Sequence, residues 1–209
     1  MLDRLLRFTK SAFQRLPTDL DTILVASFGR AGSTLVFEAV SKALAAQRFF
    51  LPQSFSKRLV RDHDTFFLSM GSLKRGVVYK THDYPSSLNG NLDRVKAIFL
   101  FGSAVDAALS VYQQKQTHGE DWIKLHFQHL RQPYRFNDLF KEDVLGLEEQ
   151  CRAWMTCTSI PVLCMRYETL WTSTDALSQF CGTTIELPEK RARKPKHINA
   201  DLLKLANSI

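Results

Sequence analysis

The sequence predicts an α/β fold, a three-layer α/β/α sandwich around a central parallel sheet. Two observations carry this reading. Four almost continuously apolar runs, TILVAS, GVVYK, VKAIFLF and PVLCMRY, read as strands buried on both faces. They alternate with stretches of helical periodicity, the pattern of strand–helix–strand units. A third observation gives the sheet a direction. The first run leads into a glycine- and hydroxyl-rich loop, SFGRAGST, which opens a helix.

Taken in order, residues 1–20 begin with Leu2, Leu5, Leu6, Phe13 and Leu16 at roughly helical spacing, with basic residues between them. This predicts an N-terminal amphipathic helix. Packing on its own domain is the favoured placement, and peripheral membrane contact through residues 1–16 is the alternative. Asp3, Arg4, Arg7, Lys10 and Arg15 interrupt any signal-peptide core. TILVAS is the first strand, and Ser33 to Ala46 the first helix. Strands follow over Gly76 to Lys80, Val95 to Phe101 and Pro161 to Tyr167. Helices are expected over Ala104 to Gln116, Leu139 to Thr158, Asp175 to Phe180 and Ala200 to Ala206. No repeat or low-complexity linker divides the chain, so residues 1–209 read as one domain.

The chain has 209 residues, 44% hydrophobic and 23% charged, an ordinary soluble composition. No apolar run is long enough for a membrane-spanning helix. Cys151, Cys157, Cys164 and Cys181 form no C-x-x-C pair and read as buried thiols of a reducing compartment, so a cytoplasmic location is expected. The net charge of +7 favours anionic ligands. Lys190, Arg191, Arg193, Lys194 and Lys196 crowd residues 190–196. This basic C-terminal segment, 190–209, is either a solvated tail or part of an anion site. It lacks interleaved aromatics, which argues against nucleic acid.

Ligands of such sheets bind at the carboxyl ends of the strands. Four segments meet there: Ser27 to Thr34, Lys80 to His82, Gly102 to Ser110 and Arg166 to Glu168. In the first, Gly29 and Gly32 let backbone N–H groups turn around an anion, and the helix that follows offers its positive end. Ser33 and Thr34 add hydroxyls and Arg30 a guanidinium fork. A triphosphate loop reads G-x-x-x-x-G-K-[ST], and this one is shorter and lacks that lysine. It is sized for fewer phosphoryl groups, unless it is an ordinary strand-to-helix turn. Lys80 and His82 leave a strand together, two residues apart, so both face one rim site. Histidine can take a proton near neutral pH, and lysine can neutralise charge on a leaving group.

Together these segments resemble the sulfotransferases that use 3′-phosphoadenosine 5′-phosphosulfate (PAPS). The family loop S-x-[PG]-[KR]-[SA]-G-[ST]-[ST] is matched by SFGRAGST, and K-T-H-x-x-P by Lys80 to Pro85. Within R-x-P-x-D-x-x-x-S, Asp106 and Ser110 match in register, and R-Y-E-x-L is matched by Arg166 to Leu170. The four motifs occur in family order over residues 27–170. The resemblance implies a P-loop NTPase-like fold, PAPS as donor, PAP as product and no metal. It implies that Arg30, Ala31, Gly32, Ser33 and Thr34 hold the 5′-phosphosulfate and that Asp106 and Ser110 belong to the cofactor site, Ser110 on the 3′-phosphate. Tyr167 lies near the adenine, Glu168 is structural, His82 is the general base, and Lys80 with Arg30 stabilises the transferring group. The acceptor is a hydroxyl (or amine) of an alcohol, lipid or saccharide.

Gly102 and Ala104 stand where the family has an arginine for the 3′-phosphate and a proline. Compensation by Arg191, Arg193 and Lys194 is the favoured explanation. The alternative functions are a non-catalytic PAP- or nucleotide-binding module and a small-molecule P-loop kinase. His118, His126 and His129 belong to a rim or acceptor region rather than to a metal site, and His63 and Asp64 to the surface.

Overall fold

The computed structural model describes residues 20–47, 61–62, 68 and 73–190. The expected helices over 1–20 and 200–206, residues His63 and Asp64, and the basic residues Arg191, Arg193 and Lys194 lie outside the described residues.

Five parallel strands form the sheet: β1 (Thr22–Ser27), β2 (Arg61–Asp62), β3 (Val78–Thr81), β4 (Val95–Phe101) and β5 (Val162–Arg166). Their spatial order is β2-β3-β1-β4-β5. All six residues of β1 are buried, as a central strand covered on both faces requires. Helix α1 (Ser33–Ala46) packs against β1 and β3, and α3 (Leu147–Met155) against β5. Trp154 of α3, fully buried, stacks on Phe99 of β4 at 6.0 Å between ring centres. The described helices are completed by α2 (Ala104–His129) and α4 (Thr174–Cys181). Among the described residues no helix is long and apolar enough to cross a membrane.

The order places a topological switch at β1: the chain leaves it toward β2 and β3 on one side, and leaves β4 toward β5 on the other. The crevice between the carboxyl ends of β1 and β4 is where such sheets hold ligands.

Two helices depart from the expected bounds. The helix expected over 104–116 runs on to His129, with a break at Gly119 (φ 82°, ψ −167°). The run Gln113 to Asp121 is polar and shows no apolar period. Beyond it, Ile123, Phe127 and Leu130 resume helical spacing and are buried. The helix expected over 139–158 begins only at Leu147. Asp143 explains this start. Its carboxylate accepts from Leu147 N–H at 3.0 Å and Glu148 N–H at 2.8 Å, and Gly146 before the helix is left-handed (φ 66°). Residues 136–138 form a 3₁₀ turn ahead of it.

Candidate active site

The loop after β1 is left-handed at three positions, Gly29 (φ 86°), Arg30 (φ 54°) and Gly32 (φ 80°). Successive turns of this kind direct backbone N–H groups into a concave nest. Gly32 is required twice over. Its conformation disfavours a side chain, and an added Cβ would lie 2.6 Å from the Tyr167 ring. The start of α1 has no side-chain cap and no acidic residue in its first turn. Its positive end therefore meets no carboxylate from the helix's own first turn. Ala31 and Ser33 are buried, and Thr34 is exposed.

Strand register brings the second segment beside this loop. Lys80 pairs with Val25 and Thr81 with Ala26, so His82 emerges next to Ser27. Lys80 Nζ donates to Thr34 Oγ1 at 2.8 Å. Burial, and then the Arg30 charge, hold the lysine pKa below its ordinary value. His82 Nδ1 lies 2.9 Å from the Ser27 carbonyl and 3.2 Å from Ser27 Oγ. A carbonyl oxygen only accepts, so Nδ1 carries the hydrogen and Nε2 keeps its lone pair. Burial drives the His82 pKa down to about 4. The Ser27 hydrogen bond opposes the fall, while Lys80, His129 and Arg30 add to it. The imidazole is neutral at pH 7, with an accepting nitrogen.

The backbone around His82 is fixed from below. Gln150 Nε2 donates to the His82 carbonyl, and Trp154 Nε1 to the Asp83 carbonyl at 3.1 Å. Asp83 is fully buried. Its carboxylate accepts from Leu68 N–H, Tyr84 N–H and Ser87 Oγ, each at 2.9 Å. Arg131 closes on it from beyond α2, Nε at 2.6 Å and the guanidinium NH₂ at 2.9 Å.

Across the crevice, Arg30 Nε donates to Ser110 Oγ at 2.8 Å, bridging 80 residues of sequence. Ser103 caps α2 by accepting from Asp106 N–H at 3.2 Å. Glu168 joins the ends of β4 and β5 through its carboxylate. Its Oε1 accepts from Ser103 N–H at 3.1 Å and its Oε2 from Arg166 Nε at 3.0 Å. A Cβ at Gly102 would stand 3.3 Å from that Oε1. Tyr167 meets Trp171 edge-on at 5.6 Å. The two rings, with Thr34, Leu35, Leu187 and Pro188, line a cleft of about 780 Å³. Ser41 Oγ also borders it and is buried with no hydrogen-bond partner among the described residues. Lys190, the first residue of the basic run, lies 5.3 Å over the Trp171 ring and donates to the Glu168 carbonyl at 3.4 Å.

Arg30, Ser33, Thr34, Lys80, His82, Ser110 and Tyr167 are thus gathered around one crevice. His126, expected at the rim, lies underneath. It is 8% exposed, its ring stacks on Trp122 at 4.9 Å, and its Cε1 is 3.4 Å from where a Gly29 Cβ would stand. Burial, then the charges of His82, Arg30 and His129, push its pKa down to about 3. Sequence reasoning did not single out Gln150 or Arg131, which lie 68 and 48 residues from their partners. Among the described residues, no group of three or more His, Cys, Asp or Glu is placed to hold a metal ion.

The fold and the crevice define an α/β protein with a left-handed, glycine-containing loop at the switch point of a parallel sheet. No protein-family model matches the chain, and no curated protein matches its sequence. Solved structures similar to it include retinol dehydratase in complex with retinol and PAP, at 16% identity and a TM-score of 0.47. That match covers 96% of this chain and 68% of the other. Retinol dehydratase in complex with androsterone and inactive cofactor PAP matches at 16% identity and a TM-score of 0.39, with the same coverage. Mouse sulfotransferase SULT7A1 complexed with PAP matches at 16% identity and a TM-score of 0.44, covering 90% of this chain and 63% of that one.

Proposed function

We propose that this protein is a sulfotransferase that moves a sulfuryl group from PAPS to the hydroxyl (or amine) of an alcohol, lipid or saccharide acceptor. The observation that carries the reading is the pairing of two groups at one strand end. His82 presents a neutral Nε2 that can accept a proton, and Lys80 reaches the start of α1, both beside the loop after β1.

The residues present fit the donor. The left-handed loop and uncapped helix start suit the 5′-phosphosulfate. The cleft beside Tyr167 and Trp171, bordered by a Ser41 hydroxyl that has no hydrogen-bond partner among the described residues, suits a nucleobase. When bound, PAPS supplies an activated sulfuryl group on a phosphosulfate linkage, with PAP as the leaving group. The loop N–H groups, with Ser33 and Thr34, hold the 5′ end in place and orient it. Lys80, which reaches the start of α1, would offset the charge that grows on the bridging oxygen. His82 Nε2 accepts the acceptor's proton, and the imidazolium formed keeps its Nδ1–H on the Ser27 carbonyl. Lys80 and Arg30 contribute to the low pKa of the free base. An anionic donor offsets those charges and raises it toward the working range. Ser110, Arg191, Arg193 and Lys194 are proposed for the 3′-phosphate, with Asp106 in the first turn of the helix that carries Ser110.

A second reading is a non-catalytic PAP-binding module. It is favoured by Gly102, which faces the Glu168 carboxylate where a cation is expected. Incubation with sulfur-labelled PAPS and a panel of alcohols, lipids and saccharides separates the two. Label transfer that is lost in His82→Ala supports the transferase; PAP binding with no transfer to any acceptor supports the module.

A further inference from the structure

We infer that the cavity between the start of α2 and the start of α3 is a second binding site, separate from the crevice, for a small apolar body that carries an ammonium group. The inference stands apart from the proposed transfer reaction. Neither Lys80, His82, Ser110 nor Tyr167 lines this cavity, whose volume is about 280 Å³. Two local features make it. Ala104 and Ala108 lie one turn apart on α2 and offer it only methyl groups. Opposite them, the segment before α3 curls into its own cap instead of packing down, because the Asp143 carboxylate takes the N–H groups of Leu147 and Glu148. Phe28, Leu139, Val144, Leu145 and Leu147, all buried, complete the apolar wall.

The wall sets the size of the occupant and the edge sets its charge. An apolar cavity of about 150 Å³ admits a benzene ring, so this one takes a ring with a short chain. Three carboxylates border it, Glu142, Asp143 and Glu148, and none of its described lining residues is basic. Cys151 adds a neutral thiol, since burial, then Cys164 and Asp143, push its pKa up to about 11. The neighbouring cations reduce the negative edge without cancelling it. Arg135 pairs with Glu142 and is shared with Asp138, which also holds Lys141. Arg152 pairs with Glu148 at 2.5 Å. The side chains of the Arg135–Glu142 and Arg152–Glu148 pairs are all at least 45% exposed, so water screens both. Asp143 keeps its charge on the two N–H groups it caps. An anion meets these carboxylates, and a neutral ring uses the wall alone. An ammonium at the edge with its apolar body inside uses both, the usual division of labour in a ligand pocket.

The test is ligand-observed NMR titration of the full chain, near neutral pH, with phenethylamine, phenethyl alcohol and hydrocinnamate. These probes share a phenyl ring on a short chain and differ in charge. The wild type should bind the amine in the millimolar range, the alcohol about threefold more weakly and the carboxylate more weakly still. Ala108→Leu places a branched side chain in the cavity and should abolish binding of the amine. Ala104→Leu does the same from an exposed position, and the urea midpoint of each variant checks that it folds. Glu142→Gln with Glu148→Gln should weaken the amine about threefold and leave the alcohol within about twofold. Binding of the amine that survives both filled variants places it elsewhere and overturns the inference. Equal affinity for the three probes, or none for any, overturns it as well. The donor reading is untouched by each of these outcomes, since it concerns the crevice.

Discussion

Removing the Asp83 carboxylate should destabilise the protein out of proportion to one side chain and should loosen His82. Asp83 is fully buried and its two oxygens take hydrogen bonds from Leu68 N–H, Tyr84 N–H, Ser87 Oγ and both arms of Arg131. Breaking a buried ion pair from one side costs about 3–5 kcal/mol. Arg131 is 39% exposed at its side chain, so water recovers part of its charge and favours the lower end. The stranded Leu68 N–H adds about 1–2 kcal/mol. Asp83→Ala should therefore lose about 4 kcal/mol, or about 8–16 °C in Tm for a chain of this size. Urea unfolding of Asp83→Ala, Arg131→Ala and the double variant reads this directly. The double variant should cost clearly less than the sum of the singles. A loss below about 1 kcal/mol in Asp83→Ala, or strict additivity, would refute the claim that this pair anchors the His82 segment.

Other outcomes follow from the same geometry. His82→Ala should retain PAP affinity and lose at least about 100-fold in turnover of labelled PAPS, the usual scale of a general base; full activity would remove His82 from that role. His126 has a pKa near 3 in the fold against an ordinary 6.5. The unfolded chain therefore binds one more proton between those values, and stability falls as pH drops below 6.5. His126→Phe should flatten the urea-derived slope by about 1.4 kcal/mol per pH unit between roughly pH 6 and 4; an unchanged slope would contradict the buried neutral imidazole. Gly32→Ala places a Cβ 2.6 Å from the Tyr167 ring at φ 80°. Its expected cost is about 1–3 kcal/mol in the same assay, with loss of PAP binding. Arg193→Ala with Lys194→Ala should weaken PAP much more than AMP in calorimetry, and equal weakening would remove the basic run from the 3′-phosphate.

The sheet is legible because β1 and β4 are almost continuously apolar and a glycine loop follows β1. The bounds of α1, Ser33–Ala46, and of β4, Val95–Phe101, coincide with those the sequence predicts. The second half of α2 is not legible, because Gln113 to Asp121 is polar and only tertiary burial of Ile123 and Phe127 continues the helix. The late start of α3 depends on how Asp143 turns its carboxylate, which a helical period does not encode. In the crevice, motif order was enough to gather Arg30, Thr34, Lys80, His82, Ser110 and Tyr167. The direction of each side chain was not in the motifs. Arg30 leans to Ser110 and Lys80 to Thr34, a choice made by strand register and by the switch between β1 and β4. The supports of His82, from Gln150, Trp154 and Arg131, arise from elements far along the chain and carry no local sequence signal.

The measurement that bears most directly on the proposed activity needs no knowledge of the acceptor. Calorimetric titration of the full chain with PAP and with ATP–Mg²⁺ compares a short anion loop with a triphosphate loop. The account predicts clear binding of PAP and weaker binding of ATP–Mg²⁺, because the loop has no lysine before Ser33 and Thr34 to reach a γ-phosphate. Tighter binding of ATP–Mg²⁺ than of PAP would contradict it and return the crevice to a small-molecule kinase.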